Sequence, residues 1–568
     1  GTLTVRSGGS VWIKGLASGG DILITAGGSV TLGDRAALGA GRVDSTVEAD
    51  TLSVVAGGAI AIYEADSLQI SELRSTTGAA VTVRAGGNLT LDGAVSASNQ
   101  AVSLSSAGVL ALNAAVSTGG AALSLTAANG LILSDAADLS SAGGRLALDA
   151  GSGMLAMHSD TVVDAGAGQI SLKAAQAVTL GQLRSSNTGV LLIDAGGLSA
   201  RADGVPDIVA ANATLRIVST GGIGAAANPL ETQVKNMDLF NSNLGAIVVE
   251  EADALGLQSV QQQAGSVIDI RTQSGAISVF SPGEGGSGIS ATTGNVSLYA
   301  GGASVSLGAD VSTIGGGVQM VAEQGNITLA AGIRVAGSGD IALNAAAGNI
   351  LVASSAAQWL TNSAGFDPAA QWALANGRYV VNQVTGEIKA AKLSAAETTQ
   401  YKIANDQVLR AAGGAYLQTT GGGITLLAQG DIGKATNGSP YSPLAMYLDA
   451  ISLRASSAIK GEVAILATGS ISVGATVPGG AGSSGGATNV ISLSGIQKFD
   501  APVDAAGQDI TIAANQVNIS ETIRSADATL TIRPLDPSVA IVLGDLLSQH
   551  SSGETLSLNR DSLSNIGA

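Results

Sequence analysis

The chain contains no cysteine. That single absence removes disulfides, thiolate nucleophiles and every metal site built on sulfur. It also suits a secreted chain that must stay unfolded while crossing a narrow pore, since no premature cross-link can form. Proline is scarce, ten in 568 residues, so turns must be made by other means. Aromatic residues make up 2% and charged residues 12%, where an ordinary globular enzyme carries roughly twice that charged fraction. No apolar run approaches the ~18 residues of a membrane-spanning helix, and no direct membrane insertion is expected. Charge comes in no block of one sign: 43 acidic and 26 basic residues are scattered to a net −17. Nucleic acid is thereby excluded as a partner, because its affinity rests on a clustered basic surface. The opening GTLTVRSGG has no signal-peptide pattern and both ends read as mid-pattern. The chain is therefore expected to be an excerpt, with targeting segment and anchors elsewhere.

What is present is aliphatic and repetitive. Hydrophobic residues reach 45%, chiefly Ala, Val, Leu and Ile, beside 79 glycines without a Gly-X-Y period. Apolar-x-apolar triplets recur in pairs: VTV at 81 and LTL at 89, VSL at 102 and LAL at 110, LSL at 123 and LIL at 131, ISL at 170 and VTL at 178. A weaker third segment follows, as at Ala94-Val95-Ser96, Ala115-Val116-Ser117 and Asp138-Leu139-Ser140. Residues 80–100, 101–121 and 122–144 are thus three successive units of about 21 residues. The rhythm returns at VSL 296, VQM 318, IAL 341, ITI 510 and LTI 530.

In a strand of period two, the first and third side chains of a triplet share one face. Val81, Val83, Leu89 and Leu91 are expected to point to an axis, and Thr82 and Thr90 outward. One such unit buries too little to fold alone, so stacked neighbours must complete its backbone hydrogen bonds. The predicted fold is all-β, a right-handed parallel β-helix of ~21-residue, three-strand coils, with a small, partly helical insertion. At about 4.8 Å per coil, roughly 23–25 coils make a rod on the order of 110–120 Å long. Corners such as Arg6-Ser7-Gly8-Gly9, Thr25-Ala26-Gly27-Gly28 and Arg84-Ala85-Gly86-Gly87 are expected to use glycine for positive φ.

Three stretches break the rhythm. Ser281 to Gly288 and Pro478 to Asn489 read as flexible loops. The third divides the chain into a β-helix shaft over 1–353, an aromatic-containing, partly helical insertion over 354–412, and a continued shaft over 413–568. Within it, Asp367-Pro368 opens AAQWALAN with a helix N-cap and a first-turn proline. Ser394 to Glu397 has the form of a capping box. Eight aromatics crowd here: Trp359, Phe366, Trp372, Tyr379, Tyr401, Tyr416, Tyr441 and Tyr447. Two readings stay open for them: rings that dock a small insertion on the shaft, or a contact patch for a glycan or protein.

Catalytic chemistry on a β-helix needs carboxylates gathered with each other or with Arg or Lys. Asp203 with Asp207, and Glu250, Glu251 and Asp253, are carboxylate groups that the sequence places beside no base or metal. They read as solvated acids. His158 holds the corner position that Asp92, Asn113 and Ser134 hold in other units, and reads as a turn residue. His550 has no second histidine near it, so no zinc site is expected. Neither a calcium-loop pattern nor a dinucleotide fingerprint occurs, and no cofactor is expected. The outward series Thr82, Ser103, Ser124, Ala147 is too irregular for an ice-binding face. Outward residues this small leave flat faces, suited either to lateral association with other copies or simply to water.

The LxL and VxL triplets, AGG corners, Ala/Ser/Gly richness and lack of Cys resemble the shaft of filamentous-haemagglutinin-like giant bacterial adhesins of the two-partner-secreted type. Ser219 to Val234, STGGIGAAANPLETQV, is similar to an IG-x-x-x-NPL element of that family, and Ala428 to Leu444 is a looser second copy. The terminal LSLNRDSLSNIGA resembles sequences that join modules in these proteins. The resemblance implies an extracellular fibre displayed on a Gram-negative cell surface and exported through an outer-membrane partner. It implies a structural and adhesive role in attachment, cell–cell aggregation or biofilm matrix, not an enzyme. Its partners would be a cell-surface or matrix glycan or protein, or copies of itself. The alternatives are a β-helical polysaccharide-degrading enzyme and the shaft of a contact-dependent toxin-delivery protein. The family's secretion domain is not evident in this sequence.

Overall fold

The computed structural model describes residues 1–14, 17–33, 47–201, 203–280, 288–330, 333–353 and 415–435. Outside those spans it describes the strands from Trp372–Ala375 to Thr555–Leu558 and residues 522, 529 and 563–566. Two compact units result: residues 1–255 with 261–266, and residues 256–260 with 267–568. Among the described residues both are built of β-strands, with helix only at 563–564. The strands of the main sheet pair in parallel, coil upon coil, as a β-solenoid.

In the first unit each coil contributes a strand to each of three faces. The first face stacks Val30–Leu32, Ile60–Glu64, Val81–Ala85, Val102–Ser106, Leu123–Ala127 and Leu146–Asp149. The second stacks Leu89–Leu91, Leu110–Leu112, Leu131–Leu133 and Leu155–Met157. The third stacks Val95–Ser96, Val116–Ser117, Leu139–Ser140 and Val162–Asp164. Val81 pairs with Val102 and Val102 with Leu123, so the coil is 21 residues, as the triplets predicted. Alternation follows the same pattern. Val81, Val83, Leu89 and Leu91 are buried while Thr82 and Thr90 are half-buried on the outer side. The core is therefore a column of Val, Leu and Ile, each stacked on its counterpart in the next coil.

Polar residues enter this interior at the corners, where backbone carbonyls turn inward and need donors. The hydroxyls of Thr118, Ser141 and Ser219 donate to the carbonyls of Ala121, Gly144 and Gly222, each three residues on.

The corner glycines act differently from the expectation. Gly27 and Gly86 do not adopt positive φ. A Cβ at Gly86 would lie 2.1 Å from the Ala65 carbonyl oxygen, and one at Gly27 would lie 2.3 Å from that of Gly8. Close approach of the neighbouring coil, not left-handed backbone, excludes a side chain there. Left-handed glycine does occur at other corners, as at Gly119, Gly130 and Gly151, and within the IG-x-x-x-NPL element. Gly224 has φ +65°, Gly433 in the looser copy has φ +80°, and each follows an isoleucine of the second face.

The second unit repeats the plan. Its first face stacks Val267–Thr272, Asn295–Ala300, Val318–Ala322, Ile341–Ala345 and Gly423–Ala428. Its second stacks Ile277–Val279, Val305–Leu307, Ile327–Ala330, Ile350–Ala353 and Ile432–Ala435. Its third stacks Ile289–Ala291, Val311–Thr313, Arg334–Gly337, Ala415–Thr419 and Met446–Asp449. The chain leaves the stack after Ala353 and rejoins it at Ala415 with the ladder continued, Ile341 pairing with Ile424.

Inside that excursion the expected first helix is corrected. Trp372–Ala375, Tyr379–Asn382 and Ile388–Ala390 form a separate antiparallel sheet. The helix-start signal at Asp367-Pro368 loses to β-branched Val380 and Val381 and to the Asn376-Gly377 pair, a strong hairpin signal. The capping box at Ser394 to Glu397 lies outside the described residues, as do residues 281–287 and 478–487. Thr488 and Asn489, expected in a loop, belong to the strand Thr488–Ser492.

Leu112, fully buried, and Ser103, half-buried on an outer face, give a direct test of the stack. Leu112→Ala is expected to cost about 2–5 kcal/mol, and Ser103→Ala within about 0.5 kcal/mol. Urea unfolding measures both, and hydrogen exchange should show the Leu112 loss spreading to the coils on either side.

Candidate functional site

Three long connections of the second unit share one corner, between its second and third faces. They are residues 280–288, 354–414 and 436–445, and each joins a second-face strand to the third-face strand that follows it. Two intervening coils cross the same corner in three residues, 308–310 and 331–333. Six of the eight aromatics fall on those connections in the sequence, and Tyr416 and Tyr447 on the third-face strands that follow them. Tyr416 and Tyr447 are ladder partners on the third face. Trp372 and Tyr379 lie on adjacent antiparallel strands. Trp359, Phe366, Tyr401 and Tyr441 fall on those connections but outside the described residues.

In the first unit, ionisable groups gather around residues 201–207, between its second and third faces. Asp207 is fully buried, and its Oδ1 accepts from the Arg201 amide and Nε, both at 3.1 Å. Its Oδ2 accepts from the Glu231 amide at 3.1 Å. The remaining Arg201 donors reach the carbonyls of Ser159, Val205 and Pro206, and Nη1 lies 3.3 Å from the Asp203 carboxylate. Burial pushes the Asp207 carboxyl up, while the Arg201 and Glu231 bonds pull it down. Chemically, this arrangement is a staple: the donors of Arg201 and the acceptors of Asp207 are spent on closing the 201–207 loop and tying it to other coils at Ser159 and Glu231.

The carboxylates singled out in the sequence come closer than expected. Glu231 pairs with Glu250 across adjacent strands, and Asp207 lies beside Glu231 on the other side. Burial raises the Glu231 carboxyl, followed by the charges of Asp207, Asp203 and Glu250, with Arg201 opposing. Glu231 Oε2 is enclosed without a hydrogen-bond partner. Glu251 is not a solvated acid at all. It points into the core, fully buried, and accepts from the Thr232 hydroxyl at 2.8 Å and the Val234 amide at 3.1 Å. Burial pushes its pKa up to about 8, against those two bonds.

His158 falls in the corner column with Asp92, Asn113 and Ser134, as its position predicted. Each amide of the four donates to the preceding coil at Ile70, Leu91, Leu112 or Leu133. Its Nδ1 accepts the Asp160 amide at 3.3 Å and closes the turn. Asp92 takes side-chain bonds from Asn113 and Gln69, which hold its carboxyl below the usual range. Among the described residues no group of three or more His, Cys, Asp or Glu is arranged to hold a metal ion. His550 lies outside the described residues.

Two residues went unread in the sequence. Glu231 lies one coil from Asp207, a spacing that would have revealed it had the coil offset been applied to charges as well as to triplets. Trp12 is 72% exposed, with Lys14 Nζ 6.0 Å from its ring centroid. It occupies the middle of the VWI triplet, where other coils carry small residues. Comparison with protein-family models, curated proteins and solved structures returns no match.

Removing the cation leaves a buried charge unpaired, so Arg201→Met is expected to destabilise the first unit by about 3–5 kcal/mol. The double variant R201M/D207N, with no charge left to bury, should recover part of that loss in urea unfolding.

Proposed function

We propose that this chain is a section of the shaft of a secreted or surface-displayed bacterial fibre, and that its contact edge is the corner of the second unit that carries the long connections. The observation that carries this reading is the ladder continued across residues 354–414. The strands on either side stack as if nothing intervened, Val335 against Leu417 and Ile341 against Ile424. The repeated coils supply stiffness and the excursion supplies specific surface. Aromatic rings interspersed with amides suit a glycan or protein partner, through stacking and amphipathic burial. Resemblance to filamentous-haemagglutinin-like shafts supports attachment, aggregation or biofilm matrix as the setting, with export through an outer-membrane partner.

The three-residue crossing at Ala331-Gly332-Ile333 supplies a replacement for the excursion. A variant in which Ala331-Gly332-Ile333 is copied in place of residues 354–414 should keep its circular dichroism and its protected ladder. Binding to cells or to a glycan array should fall at least tenfold. Unchanged binding by a folded variant would remove this edge as the contact site.

A further inference from the structure

We propose that the strand levels between Arg201 and Asp253 form a proton-held seam in the first unit, which opens locally as pH rises while the coils at 81–127 stay closed. The geometry concentrates acid in a few neighbouring strands. Asp207, Glu231 and Glu250 occupy consecutive levels beside one another, and the next inward positions of the same strands hold Thr232 and Glu251. Asp203 and Asp253 flank this column, Asp253 accepting from Gln233 Nε2 at 3.3 Å.

Among the described residues of the first unit few cations oppose it, and Arg271 in the strand Val267–Thr272 is bonded to Asp269 of the same strand. Arg201 is committed to Asp203 and Asp207. On the strand packed against Ile208–Ser219, Arg184 donates from Nε to Gln182. Arg216 pairs with Asp238 further along the same ladder, and Lys235 is exposed on the strand Leu230–Asn241. One enclosed carboxylate oxygen, Glu231 Oε2, has no hydrogen-bond partner, and an ionised carboxylate in that position is costly. The coils at 81–127 differ in kind: their inward positions are aliphatic or hydroxyl-bearing, and their ionisable residues, Arg84 and Asp92, lie outside the core.

Linkage fixes the sign. Glu251 holds its proton to about pH 8 in the closed strands, against an ordinary value of 4.5 once opened to water. The closed state is therefore fully stabilised below about pH 4.5, loses stability as pH rises, and levels off above about pH 8. Glu231 shifts in the same direction. For each proton released on opening, the opening constant rises about tenfold per pH unit in that window.

Hydrogen-exchange mass spectrometry on the whole chain at pH 5.5 and 7.5, corrected for the intrinsic rate, tests the seam. Peptides covering Ile208–Ser219, Leu230–Asn241 and Ile247–Glu251 should lose about a hundredfold in protection, and peptides over Val81–Ala85 and Leu123–Ala127 should lose none. Glu251→Gln should flatten the pH dependence, because a neutral amide takes the carboxyl's place. Equal pH dependence in both regions, or the wild-type slope retained in the Gln variant, overturns the proposal. Should Glu251→Gln fail to fold, Glu231→Gln decides: a reduced slope upholds the seam and an unchanged slope overturns it.

Discussion

The backbone hydrogen bond from one coil to the next is the interaction on which the rest of each unit depends. Val81, Val102 and Leu123 each donate from the main chain to the coil that follows, at 2.9–3.1 Å. These bonds set the separation between coils, about 4.8 Å, and nothing else in the fold varies it. A spacing that small dictates what can sit at a corner, which is why Gly27 and Gly86 carry no side chain although their backbone angles would accept one. It also forces like onto like. Leucine on leucine is favourable in the core, as with Leu89, Leu110 and Leu131. Glutamate on glutamate, as with Glu231 and Glu250, is not.

Faces and corners consequently do different work. A face strand is constrained on both edges by pairing and on its inner side by packing, so its freedom is limited to the outward residue. A corner is held only at its two ends. In the second unit three connections at one corner range from nine residues to more than sixty, while neighbouring coils turn in three. Chemistry accumulates at the corners in the first unit too, where the Arg201 staple fastens a loop between the second and third faces.

The regular part of the fold was legible because its information is local and repeated. Val81-Thr82-Val83 states its own inward and outward residues, and the next two units state them again. The role of Arg84-Ala85-Gly86-Gly87 was legible as a corner but not in its cause, since steric contact with Ala65 belongs to another coil. The strand at Trp372–Ala375 was misread as helix because two short-range signals compete there, and the Asn376-Gly377 pair outweighed the Asp367-Pro368 one. Buried acid was least visible. Glu250 and Glu251 are adjacent in sequence, yet one lies on the outer side and the other in the core. Only the register, Thr232 opposite Glu251, distinguishes them.

The continued ladder across residues 354–414 bears on how such a chain can change over evolutionary time. Lengthening a three-residue corner to some sixty residues is roughly four doublings, an entropic charge of about 2–3 kcal/mol at about 0.6 kcal/mol per doubling. That charge is comparable to the loss from one buried leucine, and it grows only logarithmically. Once a corner has been opened, its contents can be replaced, extended or trimmed at almost constant cost to the coils around it. The solenoid behaves as a chassis with a standard fitting, in which recognition can diversify freely while the repeats that carry it stay the same.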